Sequence, residues 1–132
     1  MLFRSAGLVA SHEWRAWMES CVRSGKMRSF GLASSAEAVR PFFKSDAMIG
    51  SVIQLRDSVA GREADILDEY AFPRQITYGY VSAALRADPT CRVADVLTAA
   101  LSMNRTGAII VTSGRQDRLR QYGRLTESPT DA

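Results

Sequence analysis

The stretch Gly107-Ala-Ile-Ile-Val-Thr-Ser-Gly-Arg-Gln-Asp-Arg-Leu-Arg-Gln-Tyr-Gly-Arg-Leu125 decides how this chain is read. It opens with the β-branched run Ile109-Ile110-Val111-Thr112, which favours a pleated strand over a helix. Ser113-Gly114 punctuates the run, and a segment with four arginines and one acid follows. Taken as a returning strand, that segment places Arg118, Arg120, Tyr122 and Arg124 on one face, because strand side chains alternate with period two. The rival reading makes residues 115–122 a short exposed helix with Leu119 and Tyr122 turned inward.

Working outward, the 132 residues suit one ordinary domain with its own hydrophobic core. A composition of 46% hydrophobic and 23% charged residues is that of a globular chain and argues against disorder. No apolar run approaches the roughly 18 residues that span a bilayer, and the N-terminal ten lack the sustained apolar region of a signal peptide. Cys21 and Cys91 are far apart and have no metal-ligand spacing, so free thiols in a cytoplasmic protein are expected. The net charge is +3, but its distribution says more. Basic and acidic residues number 8 and 4 over residues 1–56, 4 and 7 over 57–100, and 5 and 3 over 101–132, for net values of +4, −3 and +2. Basic ends around an acidic middle suit a protein that meets a polyanion; ordinary solvated charge is the plain alternative.

Ser11 is a good N-cap for a helix to about Arg23, on which Trp14, Trp17, Met18, Cys21 and Val22 form an amphipathic stripe ending at Gly25. That stripe is either core or a dimer contact. Residues 24–33 form a basic, glycine-containing connector, so the expected division is an N-terminal helix and connector (1–33), a helical domain (34–125) and a disordered tail (126–132). Ser34 and Glu37 read as a capping box whose helix is cut short by Pro41. Met48, Val52, Leu55 and Val59, resumed by Ile66 and Tyr70, predict helix from 46 to 71, whether continuous or broken at Gly61. Asp57, Glu63, Asp65, Asp68 and Glu69 would then decorate its solvated face. Ile76, Tyr80, Ala84 and Leu85 predict a further helix to Ala87. Val93, Val96, Leu97, Ala100 and Leu101 predict another over 92–104, with Gly107 suited to a left-handed cap beyond it.

Helices to Tyr70, at 76–87 and at 92–104, followed by a strand and a basic return segment, resemble a winged helix-turn-helix domain over residues 62–125. The elements that match best are Leu101…Gly107-Ala-Ile109, Gly114-Arg115 and Tyr122-x-x-Leu125. The resemblance implies a mainly α fold with a C-terminal β-hairpin as its wing. It implies that the helix at 92–104 meets the major groove of double-stranded DNA through Arg92, Thr98, Ser102, Asn104 and Arg105. Arg115, Arg118, Arg120, Tyr122 and Arg124 would hold phosphates from the wing. The expected function is a DNA-binding transcriptional or mobile-element regulator with no cofactor, metal or catalysis. It would work as a homodimer, with Trp14, Trp17 and Met18 as candidate contacts. A protein-binding adaptor or inhibitor using an apolar helix face is the alternative. An enzyme is a third class: Ile109–Gly114 could be a buried parallel strand ending in a phosphate-binding turn. The chain lacks, however, both a P-loop lysine and a three-glycine dinucleotide fingerprint.

Overall fold

The computed structural model describes residues 2–3, 11–44 and 51–127. Strands and helices alternate along it: β1 (Leu2–Phe3), α1 (His12–Arg23), β2 (Gly31–Ser34), α2 (Ala36–Lys44), β3 (Val52–Arg56), α3 (Asp65–Glu69), β4 (Ile76–Tyr78), α4 (Tyr80–Ala87), α5 (Val93–Met103), β5 (Ala108–Ile110) and α6 (Gln116–Glu127). The strands form one sheet in the order β1-β2-β3-β4-β5, and every adjacent pair is parallel. The fold is therefore α/β. The expectation of a mainly α, winged-helix-like chain ending in a β-hairpin is overturned. Ala108–Ile110 is a strand as expected, but it pairs in parallel with Ile76–Tyr78, and the arginine segment after it is helix.

Two further expectations change with it. The helix predicted over 46–71 is replaced by strand β3, a loop and the short helix α3. Residues 45–50, with Met48 of the predicted stripe, lie outside the described residues. The helix predicted from Ile76 is split at Gly79 into strand β4 and helix α4. In both places the spacing of apolar residues fits a helix, but a short continuous apolar run serves a buried strand equally well. Helices α1 and α5 lie where the periodicity placed them. α2 runs through Pro41 to Lys44, and its first turn is capped by Ser35, whose Oγ accepts the Ala38 N–H. Of the tail expected from residue 126, Thr126 and Glu127 complete α6, and residues 128–132 lie outside the described residues. Among the described residues no helix is long and apolar enough to cross a membrane.

Right-handed β-α-β crossovers made repeatedly in sequence order put their helices on one side of a sheet. Burial agrees with this: Leu32, Ile53, Leu55 and Thr77, which share one face, are all buried, whereas β3 to β5 carry no buried side chain on the other. Leu32, Ile53 and Leu55 pack with Val39 of α2 and with Ile66 and Leu67 of α3. Phe43 closes this core, stacking on Tyr70 with ring centroids 4.7 Å apart, which holds the turn of α2 beyond Pro41.

Where β3 ends, the chain buries a charge. Asp57 is fully enclosed. Its Oδ1 accepts the backbone N–H groups of Ser58 at 2.9 Å and Ala64 at 3.2 Å, closing the loop into α3. Its Oδ2 accepts the Tyr80 hydroxyl at 2.6 Å and faces Arg74 Nη1 at 3.8 Å. Arg74, nine-tenths buried, donates through Nη2 to Asp65 and Asp68, and its Nη1 has no hydrogen-bond partner among the described residues. The acidic cluster expected to decorate a solvated face is thus split: Asp57, Asp65 and Asp68 hold Arg74, and Glu63 accepts the Ser58 hydroxyl. The Asp68 and Asp65 hydrogen bonds raise the guanidinium pKa against the opposing pull of burial. Burial first, and then Asp57, raises that of the Tyr80 phenol.

Asp65 and Asp68 would still hold Arg74, but Asp57→Ala leaves the Ser58 and Ala64 N–H groups and the Tyr80 hydroxyl without their acceptor, so it should lose about 3 kcal/mol or more in urea unfolding. Asp57→Asn, which keeps an acceptor for both backbone N–H groups, should lose less. For Asp65, burial opposes ionisation, but the Arg74 and Arg62 hydrogen bonds outweigh it and lower the pKa. A lowered folded pKa stabilises above the unfolded value, and that stabilisation is lost as the pH falls through the folded one. The stability gap between wild type and Asp65→Asn should therefore be constant above about pH 5 and close progressively below about pH 4. A gap independent of pH would contradict this.

Candidate functional site

The carboxyl ends of parallel strands are where open α/β sheets take ligands. Here the in-register pairs Arg56↔Tyr78 and Tyr78↔Ile110 bring the ends of β3, β4 and β5 side by side. A cleft of ≈290 Å³ opens at the ends of β4 and β5, between the start of α4, the turn Thr112-Ser113-Gly114 and the side chains of Arg118 and Tyr122.

Each wall has a local cause. Gly79 passes from β4 to α4 with φ +103, a conformation that side chains disfavour, and an added Cβ would stand 3.1 Å from Arg56 Cγ. The reversal lets the helix begin one residue after the strand. Gly79 is also the N-cap residue of α4, so no side chain caps the first turn, and helix geometry leaves the N–H groups of Tyr80, Val81 and Ser82 without intrahelical acceptors. The first intrahelical bond is Ala83 N–H to the Gly79 carbonyl. Ser82 donates its hydroxyl to the same carbonyl at 2.9 Å, leaving its oxygen lone pairs available. On the β5 side, Ser113 Oγ accepts the Arg115 N–H at 3.1 Å and sets the turn into α6. Arg118, one turn into that helix, is exposed on the cleft and makes no ion pair among the described residues. A helix start whose first N–H groups have no intrahelical acceptor, beside a guanidinium, makes a positive, donor-rich concavity, which favours an anion.

Among the residues singled out in the sequence, Arg118 and Tyr122 alone line this cleft. Arg115 is engaged by Asp117 at 2.6 Å, which raises its own pKa and lowers that of the aspartate. Arg120 and Arg124 stand four residues apart on the exposed side of α6. Arg92 immediately precedes α5 and lies 3.7 Å from Asp95, and Thr98 and Ser102 are exposed on α5, with the Ser102 hydroxyl bonded to the Thr98 carbonyl. Arg105 lies at the opposite end of the strands, near Arg74. Asn104 is buried: its amide nitrogen donates to Thr77 Oγ1 at 2.9 Å and its oxygen accepts the Gly107 N–H at 2.9 Å. Gly107 does not take the expected left-handed cap. It is glycine because a Cβ would fall 2.1 Å from the Arg74 carbonyl oxygen, where β5 meets β4. Trp14 and Trp17 are two-fifths to one-half exposed on α1 and meet edge to face at 5.4 Å, while Met18 is buried.

Gly79 and Ser82 were not singled out as site residues, and no local motif marks them. Thr112 and Ser113 belong to the run Ile109–Gly114, considered as a parallel strand ending in a phosphate-binding turn, and the strand part of that reading matches the structure. Among the described residues no three His, Cys, Asp or Glu side chains cluster as metal ligands would. No family profile, curated protein or solved structure matches the chain.

Because Gly79 holds a positive φ beside Arg56, Gly79→Ala should destabilise the protein by about 1 kcal/mol or more. Urea unfolding measures this. An unchanged midpoint would mean that the β4–α4 junction is not the constraint described here.

Proposed function

We propose that the protein is a binding module for a phosphate-bearing small molecule, held without chemical turnover in the cleft at the carboxyl ends of β4 and β5. The observation that carries this reading is the convergence of donors on one space: the uncapped start of α4, the Thr112–Gly114 turn and the unpaired Arg118. Charge-assisted hydrogen bonds to an anion are about twice as strong as neutral ones, so one guanidinium among backbone donors selects a phosphate over a neutral hydroxyl compound. Among the described residues the cleft lining includes no carboxylate, imidazole or thiol, the groups that most often move protons or attack substrates, and this favours holding over turnover.

Double-stranded DNA is the second reading. It is supported by Arg120 and Arg124, exposed on one side of α6 with no ion pair among the described residues. It rests on an exposed basic helix, not on a wing. The exposed Trp14–Trp17 pair favours a protein contact on α1, with a second copy as the simplest partner.

Calorimetric titration of the full chain with inorganic pyrophosphate tests the first reading. Binding is expected, and Arg118→Ala should weaken it about tenfold or more, the loss of one charge-assisted contact. Arg115→Ala, whose guanidinium Asp117 already engages, should leave it unchanged. Absence of pyrophosphate binding by the folded protein would overturn the proposal. Duplex DNA binding with a steep salt dependence, abolished by Arg120→Ala with Arg124→Ala and untouched by Arg118→Ala, would put DNA first.

A further inference from the structure

The cleft does not end at Arg118. A second groove of ≈440 Å³ adjoins it and shares Leu85, Val93, Arg118 and Tyr122 as a common wall. The groove then continues between α5 and α6 past Ala94, Gln121 and Leu125. The two spaces differ in chemistry. The first has the start of α4 and the hydroxyl groups of Ser82, Thr112 and Ser113 beside the aliphatic Val81, Ile110 and Val111; the second is the more apolar, lined by Leu85, Val93, Ala94 and Leu125 with the Tyr122 ring, the Gln121 amide and the Arg92 and Arg118 side chains. Arg118 stands at the junction, where the anionic and apolar parts of one ligand would meet.

From this we propose that the ligand is a nucleoside phosphate, with its phosphates in the first cleft and its base in the groove against Tyr122. The inference rests on the phosphate-binding reading above and narrows it. The groove commits to this occupant for three reasons. Together the two spaces fall within the few hundred to about a thousand Å³ usual for small-molecule sites, more than a bare phosphate needs. A heterocyclic base is planar and apolar on its faces, which suits the half-buried Tyr122 ring and the aliphatic wall of Leu85, Val93 and Leu125. Its edge carries hydrogen-bonding groups, and the exposed Gln121 amide presents both a donor and an acceptor at the groove's rim. An acyl phosphate would use the aliphatic wall but leave the Gln121 amide without a role.

Calorimetric titrations with pyrophosphate, ADP and adenosine separate the possibilities, because the first two share a diphosphate and only the last two share a base. ADP should bind about tenfold or more tightly than pyrophosphate, the gain expected of a base stacked on an aromatic ring. Tyr122→Ala should remove most of that gain and weaken ADP well beyond any effect on pyrophosphate, because the ring borders both spaces, whereas Arg118→Ala should weaken both ligands to a similar degree. Gln121→Ala, at an exposed helix position where folding is not at stake, should lower ADP affinity several-fold and leave pyrophosphate unaffected. Equal affinity for ADP and pyrophosphate in the wild type would overturn the nucleoside assignment and leave the phosphate reading standing. Failure of both to bind would remove the phosphate reading and, with it, this one. Tight adenosine binding with no contribution from the diphosphate would overturn the placement of the phosphates.

Discussion

The carboxylate of Asp57 is the constraint on which the site half of this molecule depends. A buried charge is tolerated only where it is paired and its lone pairs are filled. Asp57 meets that demand with groups from four different places: the loop after β3, the start of α3, Arg74 ahead of β4, and Tyr80 at the start of α4. One side chain thereby fixes where β3 stops, where α3 begins and at what angle α4 leaves the sheet. The apolar core cannot do this. Its residues are concentrated under β2 and β3, against α2 and α3, and hydrophobic contact is non-directional. Hydrogen bonds impose direction, and at the carboxyl edge of the sheet direction is what positions a binding site.

A second polar tie works on β5 in the same way. Strand β5 has three residues and sits at the sheet edge, too short to hold itself by packing alone. Asn104 bonds simultaneously to Thr77 on β4, to the Ala108 carbonyl and to the Gly107 N–H, and Ala108 N–H donates to the Gln75 carbonyl at 2.7 Å. The Gln75 side chain extends the ladder on the other flank of β4, accepting from Ile53 N–H and donating to the Ser51 carbonyl. Short strands are thus stitched together by amides that imitate the backbone. The positions of Tyr78 and Ile110, and with them the mouth of the cleft, follow from side-chain hydrogen bonds as much as from the sheet itself.

These ties explain which parts of the fold could be read in the sequence. Helices α1 and α5 are long and strictly periodic, and each displays its apolar face in its own spacing; both were legible. Strands β3 and β4 were not. Val52 and Leu55 continue to Val59 at helical spacing, and Ile76 continues through Tyr80 to Ala84, so a helix fits as well as a strand. What distinguishes them is pairing with segments remote in sequence, Leu32 with Ile53 and Leu55 with Thr77, and no local pattern encodes that. Asp57 followed the same logic. An acid in a helix pattern reads as solvated surface, whereas an acid directly after a buried strand needs partners. Gly79 lies within the stretch whose spacing predicts helix, and is the point where strand becomes helix.

The arginine-rich stretch that first defined the chain is therefore not one surface. A returning strand would have aligned Arg118, Arg120 and Arg124 in a single stripe; a helix separates successive residues by about 100° and distributes them. Arg115 is engaged by Asp117, Arg118 reaches the cleft, and Arg120 and Arg124 face solvent on α6. Tyr122, four residues after Arg118, turns to the same side and becomes the wall between the donor-rich cleft and the apolar groove. Leu119, which the rival helical reading turned inward beside Tyr122, is two-fifths exposed. The net positive charge of the segment says little about its partner. Its helical phase says more, because it places one guanidinium and one aromatic ring together at the carboxyl edge of a parallel sheet, beside the uncapped start of α4.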